Sequence, residues 1–315
     1  LSRPLERAIE DGTVRDWVGP LGARVKAIHP GLDWELGAGR TARHYFCVSA
    51  KGDPTLRVIA ERWRSAGPPD GPVFELHPAR PGGGFGPQAV FDFGAASFPV
   101  ADFRFAIEPD EMRERVHVEV WHPSFDAAPD ELRGTATFIA LDAALGEDEV
   151  ERWIGAVDLC ERPPAGSVDF AGLEAAIAAL CAGATGERFA VLRGALPSGA
   201  PVFVSANLAL KRVDRLLMDA HVELSLARRD PTPDGLTTDR EAEALDDAED
   251  ALLDALGSDA IYVGRETAAG TRTIHLHAAH GGPALGRIDA WARTIDWPLD
   301  VRSAHDPGWE LLRRW

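Results

Sequence analysis

AHVELSLAR at residues 220–228, AIYVGRE at 260–266, TRTIHLHAAH at 271–280 and LDVRSAHD at 299–306 are four β-patterned segments. Helical patterns join the first to the second and the third to the fourth. In the first segment Val222, Leu224 and Leu226 alternate with His221, Glu223 and Ser225. In the third, Ile274 and Leu276 alternate with Thr271, Thr273, His275 and His277. A period of two with one apolar phase is what a sheet covered on one side requires. The order β-α-β-β-α-β interleaves two split βαβ units into an antiparallel sheet with both helices on one face, a ferredoxin-like arrangement. The other face would then be open and polar, carrying His221, Glu223, Tyr262, Glu266, Thr273, His275 and His277.

The helix after the first strand has the clearest local signals. Thr238 and Glu241 have capping-box spacing, and Gly257 marks the end. Ala242, Leu245, Ala248 or Glu249, Leu252 and Leu256 fall on one stripe and are expected to face the sheet. Glu243, Asp246, Asp247, Asp250 and Asp254 make an acidic outer face with no lysine or arginine at i+4 to offset it.

Working outward, a chain of 315 residues is long for one core of this type, so two domains are expected, residues 1–182 and 183–315. The stretches ERPPAGS and AGATGE, on either side of the last helix before that boundary, supply its small and turn-forming residues. The N-terminal part begins with a helical pattern from Pro4 to about Lys26. It continues as a hairpin (LDWELG and HYFCVSA), a helix with Asp53 as N-cap and Pro54 at N1, and a strand, VFELHPA. VFDF, the paired strands FRFAIEP and RVHVEVW, a helix from PDELRG to DAALG, the strand IGAVDLC and a last helix follow. The ββαβ order thus recurs, which gives an α+β class with repeated ferredoxin-like units, antiparallel sheets and helices on one face. The domain at residues 183–315 opens with a further hairpin turning at PSGA.

A formal charge of −17 argues against a nucleic-acid or anionic-membrane partner, since both need a basic footprint, and makes a basic protein the expected one. No apolar run reaches the length of a membrane span, and no secretory leader pattern is legible. Cys47, Cys160 and Cys181 are widely spaced in apolar contexts and read as buried reduced thiols. A cytoplasmic protein is the expectation.

The strand ending Asn207-Leu208-Ala209-Leu210, the helix Arg240-Glu241-Ala242-Glu243-Ala244-Leu245 continuing Ala248-Glu249-Asp250, the strands around Gly264 and Arg272, and the closing Asp306-Pro307-Gly308-Trp309 carry a resemblance. With them the second domain resembles an uncharacterised bacterial family, number 695 among the domains of unknown function. Members are sometimes joined to a domain similar to the regulator of ribonuclease activity B, a small acidic ferredoxin-like inhibitor. The resemblance implies a regulatory, protein-binding role. It carries no catalytic residues to transfer.

Read by their chemistry, few residues point to catalysis. His117 and Glu119 have the H-x-E spacing of zinc deaminases, but the PCxxC supplying the remaining ligands is absent. The glycine run within PARPGGGFGP, residues 78–87, lacks the following Lys-Ser or Lys-Thr of a phosphate loop and reads as a mobile surface loop. No G-x-S-x-G elbow is present. His275 and His277, at i and i+2 on a strand, could share a metal with Glu223, yet the sequence shows no second-shell support, so no metal and no cofactor are expected. Trp309 and Trp315 read as packing residues or as docking anchors. The reading these residues support is a non-catalytic acidic interaction or regulatory module, working through Glu243, Asp246, Asp247, Asp250 and Asp254 or through His221, Tyr262, His275 and His277. The alternative is a small-molecule or metal-dependent enzyme with a site between the domains.

Overall fold

The helical pattern at the start of the chain is interrupted where glycine permits it. In the computed structural model, which describes residues 2–83, 86, 88–233 and 235–315, α1 (Ser2–Glu10) stops before Gly12 at φ +71° and α2 (Val18–Ile28) begins after a short 3-10 turn. A positive φ cannot continue an α-helix, so the expected single helix becomes two. The chain divides into two compact units, residues 1–184 and 185–315.

In the N-terminal unit, β1 (Asp33–Ala38) and β2 (His44–Ser49) form an antiparallel hairpin. α3 (Pro54–Ala66) leads to β3 (Phe74–His77), which lies parallel to β2. The Asp53 carboxylate accepts from the amides of Thr55 and Leu56, so the N-cap legible in the sequence closes the start of α3. Val25, Leu32, Val48, Ala50, Leu56 and Ala60 pack between these helices and the sheet. A two-stranded ribbon follows, β4 (Val90–Asp92) with β5 (Ser97–Pro99).

Then the topology recurs: β6 (Arg104–Asp110) and β7 (Arg115–Trp121) form a hairpin, α4 (Asp130–Leu145) and α5 (Glu147–Trp153) cross over, and β8 (Ile154–Leu159) returns parallel to β7. The last element of the unit is α6 (Phe170–Gly183). Phe98, Phe103, Phe105, Phe125, Leu141 and Leu173 form the heart of its larger core. The sequence pattern carries no apolar stripe for α5. Gly146 at φ +98° ends α4, and three acids then sit in the first turn of α5, where they complement the helix dipole.

Within the glycine run at 78–87, Gly84, Phe85 and Pro87 lie outside the described residues. Gly82 is fitted against the chain at Leu145, where a Cβ would stand 2.1 Å from the carbonyl carbon. His117 is engaged in its own sheet, its Nδ1 accepting from the amide of Ala156 at 2.8 Å. The cysteines are not disulfide-bonded, and only Cys47 is buried. Cys160 is intermediate and Cys181 is exposed on α6, a correction to the expectation that all are buried. Among the described residues no helix is long and apolar enough to cross a membrane.

The C-terminal unit contains β9 (Phe189–Ala195), β10 (Pro201–Asn207), β11 (Ala220–Ala227), α7 (Asp239–Leu256), β12 (Ala260–Ala268), β13 (Thr271–Ala278), α8 (Ala284–Ala292), β14 (Leu299–His305) and α9 (Glu310–Arg314). Its six strands lie in the order β14-β11-β13-β12-β10-β9, and every adjacent pair is antiparallel. The four strands of the split βαβ pattern therefore interleave as read from the sequence, and the hairpin β9–β10 extends the sheet beyond β12. Val222, Leu224, Leu226, Ile274 and Leu276 meet Leu245, Leu252 and Leu256 of α7 and Ile288 and Trp291 of α8 in one core, so both helices cover the same face.

Candidate functional site

The face of this sheet away from α7 and α8 concentrates the ionisable side chains. Pairing of β11 with β13 sets His221 opposite His277 and Glu223 opposite His275, while β12 brings Glu266 beside Thr273. His221 Nε2 lies 3.1 Å from His275 Nδ1, and His275 Nε2 lies 3.2 Å from a Glu266 carboxylate oxygen. A carboxylate only accepts, so His275 donates through Nε2 and receives at Nδ1 the Nε2–H of His221. The result is a directed chain, His221 to His275 to Glu266. The hydrogen bond from His275 holds the Glu266 carboxyl below its ordinary range. Burial, with His275 beside it, pushes His221 below its ordinary value.

This face is not open, which corrects the expectation drawn from strand alternation. His275 is 2% and His277 0% exposed, because the segment after β14 folds back over them. Trp309, itself 1% exposed, stacks on His277 with ring centroids 4.2 Å apart, and Trp315 meets His275 edge-on at 5.3 Å. The turn Asp306-Pro307-Gly308-Trp309 positions the indole. Both Asp306 carboxylate oxygens accept from the amide of Glu310, and Trp309 itself adopts a left-handed backbone at φ +52°. The carbonyl of Met218 accepts both Trp309 Nε1–H at 2.9 Å and His277 Nδ1–H at 3.2 Å.

That carbonyl fixes the His277 tautomer: Nδ1 carries the proton and Nε2 faces the Asp306 carboxylate from 3.8 Å without a hydrogen bond. Burial pushes its pKa down to about 4, with Asp306 opposing the shift. At the same end of the sheet the buried Asp219 accepts the amide of His280 at 2.9 Å and faces His305 Nε2 at 3.4 Å. Strand alternation does not point to Asp219 or Asp306, which lie just outside the strands. Their only sequence signal is a carboxylate at each end of a strand, which is common in turns.

Two further site residues lie on the helix side. Tyr262 pairs with Leu276, the apolar phase, because the register shifts between Tyr262 and Gly264. The buried Val263 is the inserted residue of this bulge. Strict alternation from Glu266 therefore places Tyr262 on the wrong face. Its hydroxyl is held above its ordinary pKa by burial and by the charge of Glu249.

Asp246 likewise does not belong to the outer face of α7. It accepts from Arg265 at 2.7 Å and from Arg272 at 2.6 Å, while the buried Glu249 lies 3.2 Å from Arg265. The offsetting cations come from β12 and β13, not from the helix. Arg272, an arginine on the apolar phase with Ile274 and Leu276, is the sequence signal that an acid must lie opposite.

The expected capping box is also absent. The Thr238 side chain makes no cap hydrogen bond, and the buried Glu241 instead accepts from the amides of Arg229 and Asp230 and from Trp297 Nε1. Glu243, Asp247, Asp250 and Asp254 are exposed, as the periodicity implies. Among the described residues no basic group lies within ion-pair reach of these four.

The polar face thus holds a carboxylate–imidazole–imidazole chain of the kind that moves protons, but its middle member, His275, is buried beneath Trp315. Among the described residues no three potential ligand side chains converge as a metal site would require. Residues 198–314 match the family described as a family of unknown function, DUF695. No curated protein and no solved structure matches the chain.

Proposed function

We propose that the C-terminal unit is a non-catalytic regulatory module that docks a basic protein through the outer face of α7. The observation that carries this reading is the sorting of that helix's acids. Glu241, Asp246 and Glu249 are satisfied by backbone amides, an indole and two guanidinium groups, whereas Glu243, Asp247, Asp250 and Asp254 face solvent with no ion-pair partner among the described residues. Like charges three and four residues apart on an exposed helix oppose folding by a few tenths of a kcal/mol per pair, roughly 0.2–0.5. The four therefore contribute nothing to stability that would explain their grouping. They do create a local negative field that steers a cationic surface and is screened beyond about 8 Å at physiological salt.

The test compares the intact chain with the triple variant Asp247→Lys, Asp250→Lys, Asp254→Lys as bait in a lysate of the source organism. Proteins retained by the parent at low salt should be released at high salt and should fail to bind the variant, while circular dichroism and thermal melting stay unchanged. A variant that retains the same proteins as the parent sinks the proposal.

A further inference from the structure

The N-terminal unit contains a cavity of about 590 Å³. It lies where α1, α2 and α3 meet β2, β3 and the segment leading into β3. Phe46, Phe74 and Trp63 supply aromatic walls, Leu21 and Ile28 line the α2 side, and Pro68, Pro69 and Pro72 frame the rim. A volume between about 300 and 1,000 Å³ with mainly apolar walls is the normal form of a small-molecule site.

Arg24 is the one charged side chain in the lining, and it is exposed. The arginines that hydrogen-bond the rim prolines are already committed: Arg64, which donates to the Pro68 carbonyl, pairs with Asp70 at 3.1 Å, and Arg43, whose amide donates to the Pro72 carbonyl, pairs with Glu6 and Glu10. Arg24 has no such partner among the described residues. One uncommitted guanidinium beside an apolar hollow matches a molecule with a large apolar body and a single anionic head. A polyanion would find one cation on a chain of charge −17, and a cationic amphiphile would meet Arg24 with like charge.

We infer that this cavity binds a small amphipathic monocarboxylate, with its apolar chain against Phe46, Trp63 and Phe74 and its carboxylate at Arg24. The inference is independent of the α7 surface, which lies in the other unit.

The experiment titrates the full chain with decanoate, below its micelle concentration, and with decan-1-ol, by isothermal calorimetry. One decanoate per chain should bind, and about threefold or more tighter than the alcohol, the scale of a solvent-accessible ion pair. Arg24→Gln, at an exposed position, should remove the preference for the acid while leaving the alcohol unaffected. Ile28→Glu, at a half-exposed position on the rim, should weaken decanoate more than decanol without disturbing the core.

Val73→Trp, filling the hollow, should abolish both in a protein that still melts cooperatively. No binding of either probe by the parent, equal affinity for acid and alcohol, or unchanged decanoate binding in both Arg24→Gln and Ile28→Glu overturns the assignment.

Discussion

His277 shows how one side chain can be legible in type and illegible in role. Its phase on β13 follows from alternation, so its face is readable. Its burial is not, because the cover is an indole thirty-odd residues later, delivered by a turn that needs a left-handed tryptophan. Periodicity carries no information about such a return, and Tyr262 departs from the face its alternation implies for a related reason, a one-residue bulge that only the folded ladder reveals.

The environment of His277 has a pH consequence. The groups facing it are Asp306, His221, Asp219 and the Met218 carbonyl, and its pKa is about 4 against an ordinary 6.5. The unfolded chain thus binds the proton more readily. The stabilisation is complete above pH 6.5 and is lost as pH falls towards and through about 4, to an extent of up to about 3 kcal/mol. His221, also shifted down, adds in the same direction. We expect the C-terminal unit to melt at a lower temperature at pH 4.5 than at pH 7, and His277→Gln to lessen that difference while lowering stability at pH 7. Calorimetric scans at the two pH values check this, and an undiminished pH dependence in the variant would exclude His277 as the source.

At the scale of an element, α7 has an inner and an outer acidic face. The heptad-like spacing of its leucines was enough to orient the helix, and the exposure of Glu243, Asp247, Asp250 and Asp254 followed. The cap was not readable, because the Thr238–Glu241 spacing is satisfied differently when a loop amide and Trp297 compete for the same carboxylate. Thr238→Ala should accordingly be close to neutral, within about 0.5 kcal/mol rather than the usual 1 for a lost cap.

Glu249→Gln removes one of two carboxylates from between Arg265 and the 4%-exposed side chain of Arg272. Leaving buried guanidinium charge short of a partner should cost about 3 kcal/mol. Urea denaturation orders the two variants, and a Glu249→Gln protein as stable as Thr238→Ala would show the cluster to be energetically idle.

At the scale of the molecule, the C-terminal unit holds its own sheet, two covering helices and a core closed by Val222, Leu224, Leu245, Leu252 and Ile288. We expect a fragment of residues 185–315 to show a cooperative thermal transition by itself. A soluble fragment without one would show that its core is incomplete. The class and strand order of this unit were readable because both rest on alternation and on element sequence. The N-terminal unit was read less well where glycine breaks, at Gly12 and Gly146, set element ends that hydrophobic patterns run past.

Strand order also sets a timetable. β13 sits between β11 and β12, while the strands earliest and latest in this unit, β9 and β14, lie at opposite edges. The β12–β13 hairpin closes across a two-residue connection, so it can form within microseconds and wait as a template. β10 can join only after the loop containing β11 and α7 has been gathered in, a slower step. In deuterated water the amides of β13 should be the last to exchange, near the limit of global unfolding, whereas those of β9 and β14 should exchange through local fraying long before it.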